Sequence, residues 1–144
     1  MLKRTITYTD YDGNERTEEF MFNLNKAELT SMELSHEGGM KQRLGKMIAK
    51  QDAPEIMRTF RDLIRAAYGE KSPDGRRFIK SEQLSTEFEQ TEAYNTLFME
   101  LCTDAKKASE FVAAILPEDL RKAAEDMRES VEGDNLKVLP SSDQ

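Results

Sequence analysis

Acidic side chains near the N-terminus have the spacing of the first ligands of a calcium loop. Asp10, Asp12 and Asn14 occupy alternate positions, as the first three oxygen ligands of an EF-hand loop do. That loop also needs a glycine at its sixth position and a bidentate glutamate at its twelfth, where this sequence has Glu15 and Met21. We therefore expect no calcium ion here, and we predict no metal site in the chain.

The residues on both sides of this stretch indicate a β-hairpin instead. Apolar side chains alternate with polar ones before it, at Ile6 and Tyr8, and after it, at Phe20 and Phe22. A period of two is typical of strands that bury one face. Gly13 can supply the positive φ that a tight hairpin turn requires, so we predict that the chain reverses direction there.

Few other residues could support catalysis. His36 is the only histidine, and it lies beside two glycines in an expected loop, without an orienting partner in sequence. Cys102, the only cysteine, ends an amphipathic stretch, where burial as a small apolar side chain is the ordinary outcome. The nearby Lys106 and Lys107 leave a reactive thiolate as the alternative. No strand, glycine loop and helix follow one another as a phosphate site requires, so we predict no catalytic residue, no cofactor and no enzymatic activity.

Composition narrows the function classes further. The chain has 144 residues, of which 34% are charged and 38% hydrophobic, and its formal net charge is −7. This length suits one domain with a core of its own, and no apolar run is long enough to cross a bilayer. Duplex nucleic acid is a disfavoured partner because binding phosphates requires a basic surface. A single cysteine is typical of a reducing, cytosolic compartment.

Helical periodicity dominates the chain after the hairpin. Asn25 is the expected cap of a short helix that ends near Leu34, and a second helix is predicted over about 40–50. A capping box with proline in the first turn opens a third helix at Asp52, and Gly69 is the expected stop. Ser72-Pro73-Asp74-Gly75 has the composition of a turn. Three more helices are predicted over 82–90, 92–103 and 105–116, with caps at Ser81, Thr91 and Thr103 or Asp104.

These patterns together predict an α+β fold, with an N-terminal β-hairpin followed by a mainly α-helical bundle, a polar C-terminal helix and a disordered tail. Residues 1–116 are the expected hairpin and helical domain, residues 117–131 the polar helix, and residues 132–144 the flexible tail.

Two residue types suggest surfaces for binding proteins. Arg76 and Arg77, followed by Lys80, could grip a carboxylate or phosphate, although exposed cations in a connecting turn are the alternative. The chain also has eight methionines, among them Met32 and Met57, and methionine is common on surfaces that accept varied helical partners. Adaptable core packing is the alternative for each methionine.

Three segments carry a resemblance to a known family. TITYTDYDGNERTEEFMFNL, GEKSPDGRRFIKSEQLS and TEAYNTLFMEL, in this order and separation, resemble the tail assembly chaperones of long-tailed bacteriophages. The resemblance covers about residues 2–116, and DGRRFIKSEQLS followed by FEQTEAY is its most specific part.

The resemblance implies a chaperone that binds the tape measure protein, keeps it soluble and helps recruit tail tube protein. It also implies self-association in multiple copies and a location in the host cell cytoplasm, outside the mature virion. A structural minor tail or connector protein is the alternative. The side chains expected to contact a partner are Arg76, Arg77, Phe88, Tyr94, Phe98 and Phe111. For the four aromatic residues, burial in the core is the alternative.

Overall fold

The computed structural model describes residues 1–35 and 53–117. The chain begins with the predicted hairpin, in which β1 (Leu2–Thr9) pairs antiparallel with β2 (Glu15–Phe22). Leu2 lies opposite Phe22, and Thr9 lies opposite Glu15. Gly13 has a φ of 85°, which confirms the predicted turn.

The carboxylate of Asp10 organises the turn from within. Its Oδ1 accepts the backbone N–H groups of Asp12 and Asn14, both at 2.9 Å, and its Oδ2 accepts Nε of Arg16 at 2.5 Å. The hydrogen bonds from Arg16 and from the Asn14 backbone lower the pKa of Asp10. This acidic residue therefore has a structural partner on each oxygen.

Helix α1 (Lys26–Ser35) begins with a reciprocal capping box. The Asn25 side chain accepts the Glu28 N–H at 2.8 Å, and Glu28 Oε1 accepts the Asn25 N–H at 2.9 Å. Both contacts satisfy donors that the helix leaves unpaired, which confirms Asn25 as the cap. The helix predicted over about 40–50 and the Asp52 cap lie outside the described residues.

Helix α2 (Ala53–Ala67) leads directly into two short strands that the sequence did not suggest, β3 (Tyr68–Lys71) and β4 (Phe78–Ile79). The sheet order is β1-β2-β3-β4, and both added pairings are antiparallel. The prediction that Gly69 ends a helix is therefore wrong, because Gly69 lies in β3 opposite Met21. The predicted turn between the strands is confirmed, since the Gly75 N–H donates to the Ser72 carbonyl at 2.9 Å.

The last three described helices match their predictions within about one residue. They are α3 (Glu82–Glu89), α4 (Glu92–Thr103) and α5 (Ala105–Ile115). Each begins at a side chain that accepts the N–H of the third residue after it, and these caps are Ser81, Thr91 and Asp104.

The core lies between the helices and the inner face of the hairpin. Its fully buried side chains come from the hairpin end, from α2 and from the last two helices, and include Phe22, Ile64, Leu97, Phe111 and Ile115. Helix α4 packs against β1, α2 and α5. The architecture confirms an α+β fold with an N-terminal hairpin before a mainly helical region. No helix within the described ranges is long and apolar enough to cross a membrane.

Candidate partner-binding surface

Three of the four aromatic residues expected to meet a partner lie inside the core of the monomer. Phe88 is 3% exposed, Tyr94 6% and Phe111 2%. Phe88 stacks on Tyr68 with ring centroids 4.4 Å apart, while Phe111 meets the edge of Phe22 at 5.4 Å. A partner would have to separate packed helices to contact these rings, so their burial favours the core alternative. Their contact with a partner stays a prediction.

Phe98, the fourth aromatic residue, is only half-buried. Its ring stacks on Tyr94 with centroids 5.5 Å apart and an interplanar angle of 20°. Tyr94 is held away from ionisation, since burial raises its pKa to about 12. Phe98 therefore presents an apolar group that is anchored on one side by a buried, neutral ring.

Cys102 follows Phe98 by one helical turn and is also half-buried. Burial raises the pKa of its thiol, because a low-dielectric environment disfavours the thiolate. This finding counts against a reactive cysteine and leaves Cys102 as part of the apolar surface.

Two methionines are exposed large apolar side chains on the described helices. Met57 on α2 is 48% exposed and Met99 on α4 is 55% exposed, and these two helices pack against each other. We use "α2–α4 surface" for the accessible apolar side chains of these helices, which are Ile56, Met57, Phe98, Met99 and Cys102. Large exposed apolar groups in proteins often mark binding sites.

Sequence reasoning missed Met99, although a signal was available. The buried stripe of α4 consists of Ala93, Tyr94, Leu97 and Leu101. Met99 lies two residues from both Leu97 and Leu101, and residues two apart do not share a helix face. An apolar residue outside an otherwise complete stripe could therefore have been identified as exposed.

The two arginines predicted to bind a partner lie in the turn between β3 and β4. Arg76 and Arg77 are exposed, and the turn holds them through the backbone. The Arg76 N–H donates to Asp74 Oδ1 at 3.1 Å, and the Arg77 N–H donates to Ser72 Oγ at 3.0 Å. The hydrogen bond from Ser72 lowers the pKa of Asp74, so that carboxylate serves the turn.

The guanidinium groups of Arg76 and Arg77 make no ion pair within residues 1–35 and 53–117. The other arginines of these ranges each bind a carboxylate: Arg4, Arg16, Arg58, Arg61 and Arg65. Lys80 differs from the pair that precedes it, because its half-buried amino group binds Glu28. Within the described part of the chain, the basic run thus divides into two cations without an ion pair and one structural cation.

A cluster of ion pairs joins α2 to α3. Glu89 accepts Nε of Arg61 at 2.5 Å and Nη1 of Arg65 at 2.5 Å, and Arg65 also reaches Glu82 at 3.0 Å. Burial alone would raise the pKa of Glu89, but the two arginines outweigh it and lower the pKa. These charges stabilise the packing of α2 against α3.

The accessible side chains are of types that suit binding. Among the described residues, no group of three or more His, Cys, Asp or Glu side chains could hold a metal ion. The accessible features of these residues are apolar side chains on two packed helices and a pair of exposed arginines. Such features recognise a helical apolar segment and an anionic group, respectively.

Comparison with known proteins identifies the family. A family model described as phage tail assembly chaperone matches residues 1–143. The match extends well past residue 116, where the resemblance found in the sequence ended. No curated protein and no solved structure matches the chain significantly. Since the family model spans all but the last residue, the chain belongs to the phage tail assembly chaperone family.

Proposed function

We propose that this chaperone binds the tape measure protein, keeps it soluble and helps recruit tail tube subunits to it. In this proposal the protein acts in the host cytoplasm and is absent from the mature virion. The observation that carries the proposal is the exposure of Met57 and Met99 on two helices that pack together. Membership of the chaperone family supports the same conclusion.

Methionine side chains suit a partner with a long and variable apolar surface. An amphipathic helix of the tape measure protein would otherwise expose its apolar stripe to water. Unbranched thioether side chains adapt to different neighbouring side chains, so Met57 and Met99 can cover successive segments that are not identical. Several chaperones on one tape measure chain would act together, so that each contact can be weak.

Arg76 and Arg77, which are exposed, give the proposal an electrostatic component. A planar guanidinium can donate two parallel hydrogen bonds to one carboxylate. We propose that Arg76 and Arg77 bind acidic side chains of a tail protein. Since both arginines are exposed, this contact contributes modestly to affinity and decreases as salt is added.

Co-expression with the tape measure protein tests the proposal. The Met57→Lys and Met99→Lys substitutions, alone and together, place a charge within the α2–α4 surface. Gln83→Lys is the matched control, because Gln83 is an exposed polar residue of α3, outside the α2–α4 surface. We expect less soluble tape measure protein with the methionine variants and an unchanged amount with the control.

Circular dichroism should show that all variants remain folded. A double methionine variant that is folded and keeps as much tape measure protein soluble as the wild type would overturn the role of this surface. Binding that is lost with Gln83→Lys as well would do the same, because added charge alone would then explain the result.

Mass spectrometry of purified virions distinguishes the chaperone from the alternative of a structural tail or connector protein. A chaperone should be absent from finished particles. Detection of this chain at a fixed copy number in each virion would contradict the proposed function.

A further inference from the structure

Among residues 1–35 and 53–117, strand β1 forms an edge of the sheet and pairs only with β2. Its backbone groups alternate between the two sides of the strand. The Asp10 N–H donates to the Asn14 carbonyl, and the same register continues to Leu2 opposite Phe22. The even-numbered residues therefore bond to β2, and the odd-numbered ones direct their N–H and C=O groups outward. These outward residues are Lys3, Thr5, Thr7 and Thr9, all of them exposed.

This edge has few of the features that prevent pairing with another strand. Natural edge strands are commonly short, bulged, interrupted by proline or protected by charges. β1 has eight residues, an uninterrupted register and no proline. Its inward-facing Arg4 is neutralised by Glu100 of α4, and Lys3 is the only other charged residue in the strand. The edge is therefore available for pairing over most of its length.

We propose that β1 pairs antiparallel with β1 of a second copy of this chain, so that two four-stranded sheets join into one continuous sheet. In the register that we infer, Lys3 lies opposite Thr9 of the partner subunit and Thr5 lies opposite Thr7 of the partner subunit. All four outward residues of each strand then form hydrogen-bonded pairs, which supplies about eight backbone hydrogen bonds.

The sequence of β1 is complementary to itself in this arrangement. The twofold axis passes beside Ile6, which meets its own copy, and Arg4 lies opposite the aromatic ring of Tyr8 of the partner subunit. No like charges are opposed, because the cationic residues 3 and 4 of the two strands lie at opposite ends. A parallel arrangement would place Lys3 beside its own copy, which is unfavourable. A shift of the antiparallel register by two residues would leave an end residue unpaired.

This inference does not depend on the proposed function, although the two combine. A dimer would carry two α2–α4 surfaces on one particle. The second contact with a long partner would then be intramolecular and favoured by effective concentration.

Sedimentation equilibrium of the full chain over a wide concentration range tests the proposal, with a concentration-dependent dimer as the expected result. Thr7→Pro removes an outward N–H of β1 without removing a backbone hydrogen bond to β2, although it does remove the side-chain hydrogen bond between Thr7 and Thr17. Thr17→Pro is the matched control, because Thr17 lies opposite Thr7 and its N–H points away from β1. We expect self-association to weaken at least about tenfold with Thr7→Pro and to remain unchanged with Thr17→Pro.

Disulfide trapping tests the register independently of the proline variants. In a Cys102→Ala background, Thr5→Cys and Thr7→Cys proteins should cross-link when mixed, because opposed residues have Cα atoms about 5.5 Å apart. Each protein alone should cross-link far less. The two copies of its cysteine lie diagonally across the strand pair, and their Cα atoms are farther apart than the roughly 7 Å that a disulfide can span.

A wild-type chain that stays monomeric at every concentration would overturn the proposal, even if its edge paired with a different protein. Equal weakening by both proline variants, or no preference for the mixed cross-link, would also overturn it. If Thr7→Pro unfolds by circular dichroism, the cross-linking result alone decides.

Discussion

The amino group of Lys80 lies 2.6 Å from Oε2 of Glu28, across 52 residues of sequence. The other oxygen of Glu28 closes the capping box of α1 with Asn25. Lys80 also donates to the carbonyl of Asn23 at 2.6 Å and to that of Ala66 at 2.7 Å. One ammonium group thus connects the end of the hairpin, the start of α1 and the last turn of α2.

Replacing this lysine should destabilise the fold strongly. Lys80→Met keeps most of the apolar stem but removes all three donors, and it leaves two carbonyl groups and one carboxylate without this partner. Hydrogen bonds to charged groups contribute about 1.5–3 kcal/mol each and are not additive. We expect the free energy of unfolding in urea to fall by about 2–4 kcal/mol.

Lys71→Met is the matched control for this prediction, because Lys71 is an exposed lysine of β3. Its effect should stay within about 0.5 kcal/mol, as is usual for surface substitutions. Equal stability of the two variants would contradict the role assigned to Lys80.

Gly69 should tolerate no side chain. A Cβ atom at this position would lie 2.6 Å from Cε2 of Phe78 and 2.7 Å from the carbonyl oxygen of Ile79. Because one of these atoms belongs to the backbone, β3 and β4 would have to move apart. We expect Gly69→Ala to lower the free energy of unfolding by about 2–3 kcal/mol, at the upper end for overpacking.

Gly13→Ala provides a comparison by chemical denaturation. Gly13 has positive φ but no neighbouring atom within 4 Å of an added Cβ, so the Gly13→Ala substitution should cost about 1 kcal/mol of stability from backbone strain alone.

Removal of the ring in a Gly69→Ala, Phe78→Ala double variant should not restore stability, because the Ile79 carbonyl remains. A smaller cost at Gly69 than at Gly13 would refute this account of β3.

The Glu89 cluster should make the fold sensitive to acid. The folded-state pKa of Glu89 is lowered by Arg61 and Arg65, against the opposite effect of burial. A lowered pKa stabilises the fold above the unfolded pKa of about 4.3, and this contribution disappears as the pH falls through the folded pKa. We expect Glu89→Gln to lower stability by about 1 kcal/mol at pH 7.

Urea unfolding at neutral pH and at acidic pH, below the range of carboxyl titration, checks this prediction. The difference between wild type and Glu89→Gln should be present at neutral pH and should shrink in acid. Glu70→Gln, an exposed carboxylate of β3, is the control and should change stability little at either pH. A difference that stays constant with pH would show that the charge of Glu89 is not what stabilises the packing.

A chain that ends after Pro117 should fold cooperatively. The described core extends from Ile6 to Ile115, and the Leu24 N–H donates to the Ile115 carbonyl at 2.8 Å. Residues 118–144 contain eight acidic and four basic residues, a net charge of −4, and no aromatic residue. We expect the truncated domain to keep a tape measure fragment soluble, while phage that carry the truncation assemble few tails.

Urea unfolding, co-expression and electron microscopy of lysates measure these three outcomes. A broad, non-cooperative transition would place residues after 117 in the core. A folded domain that no longer keeps the fragment soluble would place them in the partner-binding surface instead.

The sequence predicted the elements whose signals are local. The hairpin has its alternation and its turn glycine, and the described helix starts have capping side chains such as Ser81 and Thr91. Strands β3 and β4 were missed because four and two residues are too few to show alternation. Gly69 was misplaced for the same reason, since a glycine after a helix ordinarily marks its end.

The sequence left more alternatives open for the candidate site than for the fold. Helical spacing identifies an apolar face but not what covers it, so Phe88, Tyr94 and Phe111 could not be assigned to the core or to a groove. The hairpin and α2 pack against these rings and bury them, and their contact with a partner stays a prediction. Lys80 was grouped with two arginines by sequence proximity, whereas its partners lie 14 to 57 residues away.

The junction between α2 and β3 has a consequence for recognition. Helix α2 ends at Ala67 and β3 begins at Tyr68, so no flexible residue separates them. The Ala67 carbonyl also accepts the Asn23 N–H at 2.8 Å, which ties the junction to the hairpin. The helix that carries Met57 is therefore preorganised, and a partner bound there would cost little conformational entropy in the chaperone. In the proposed function, a small apolar contact would then be enough to give measurable affinity.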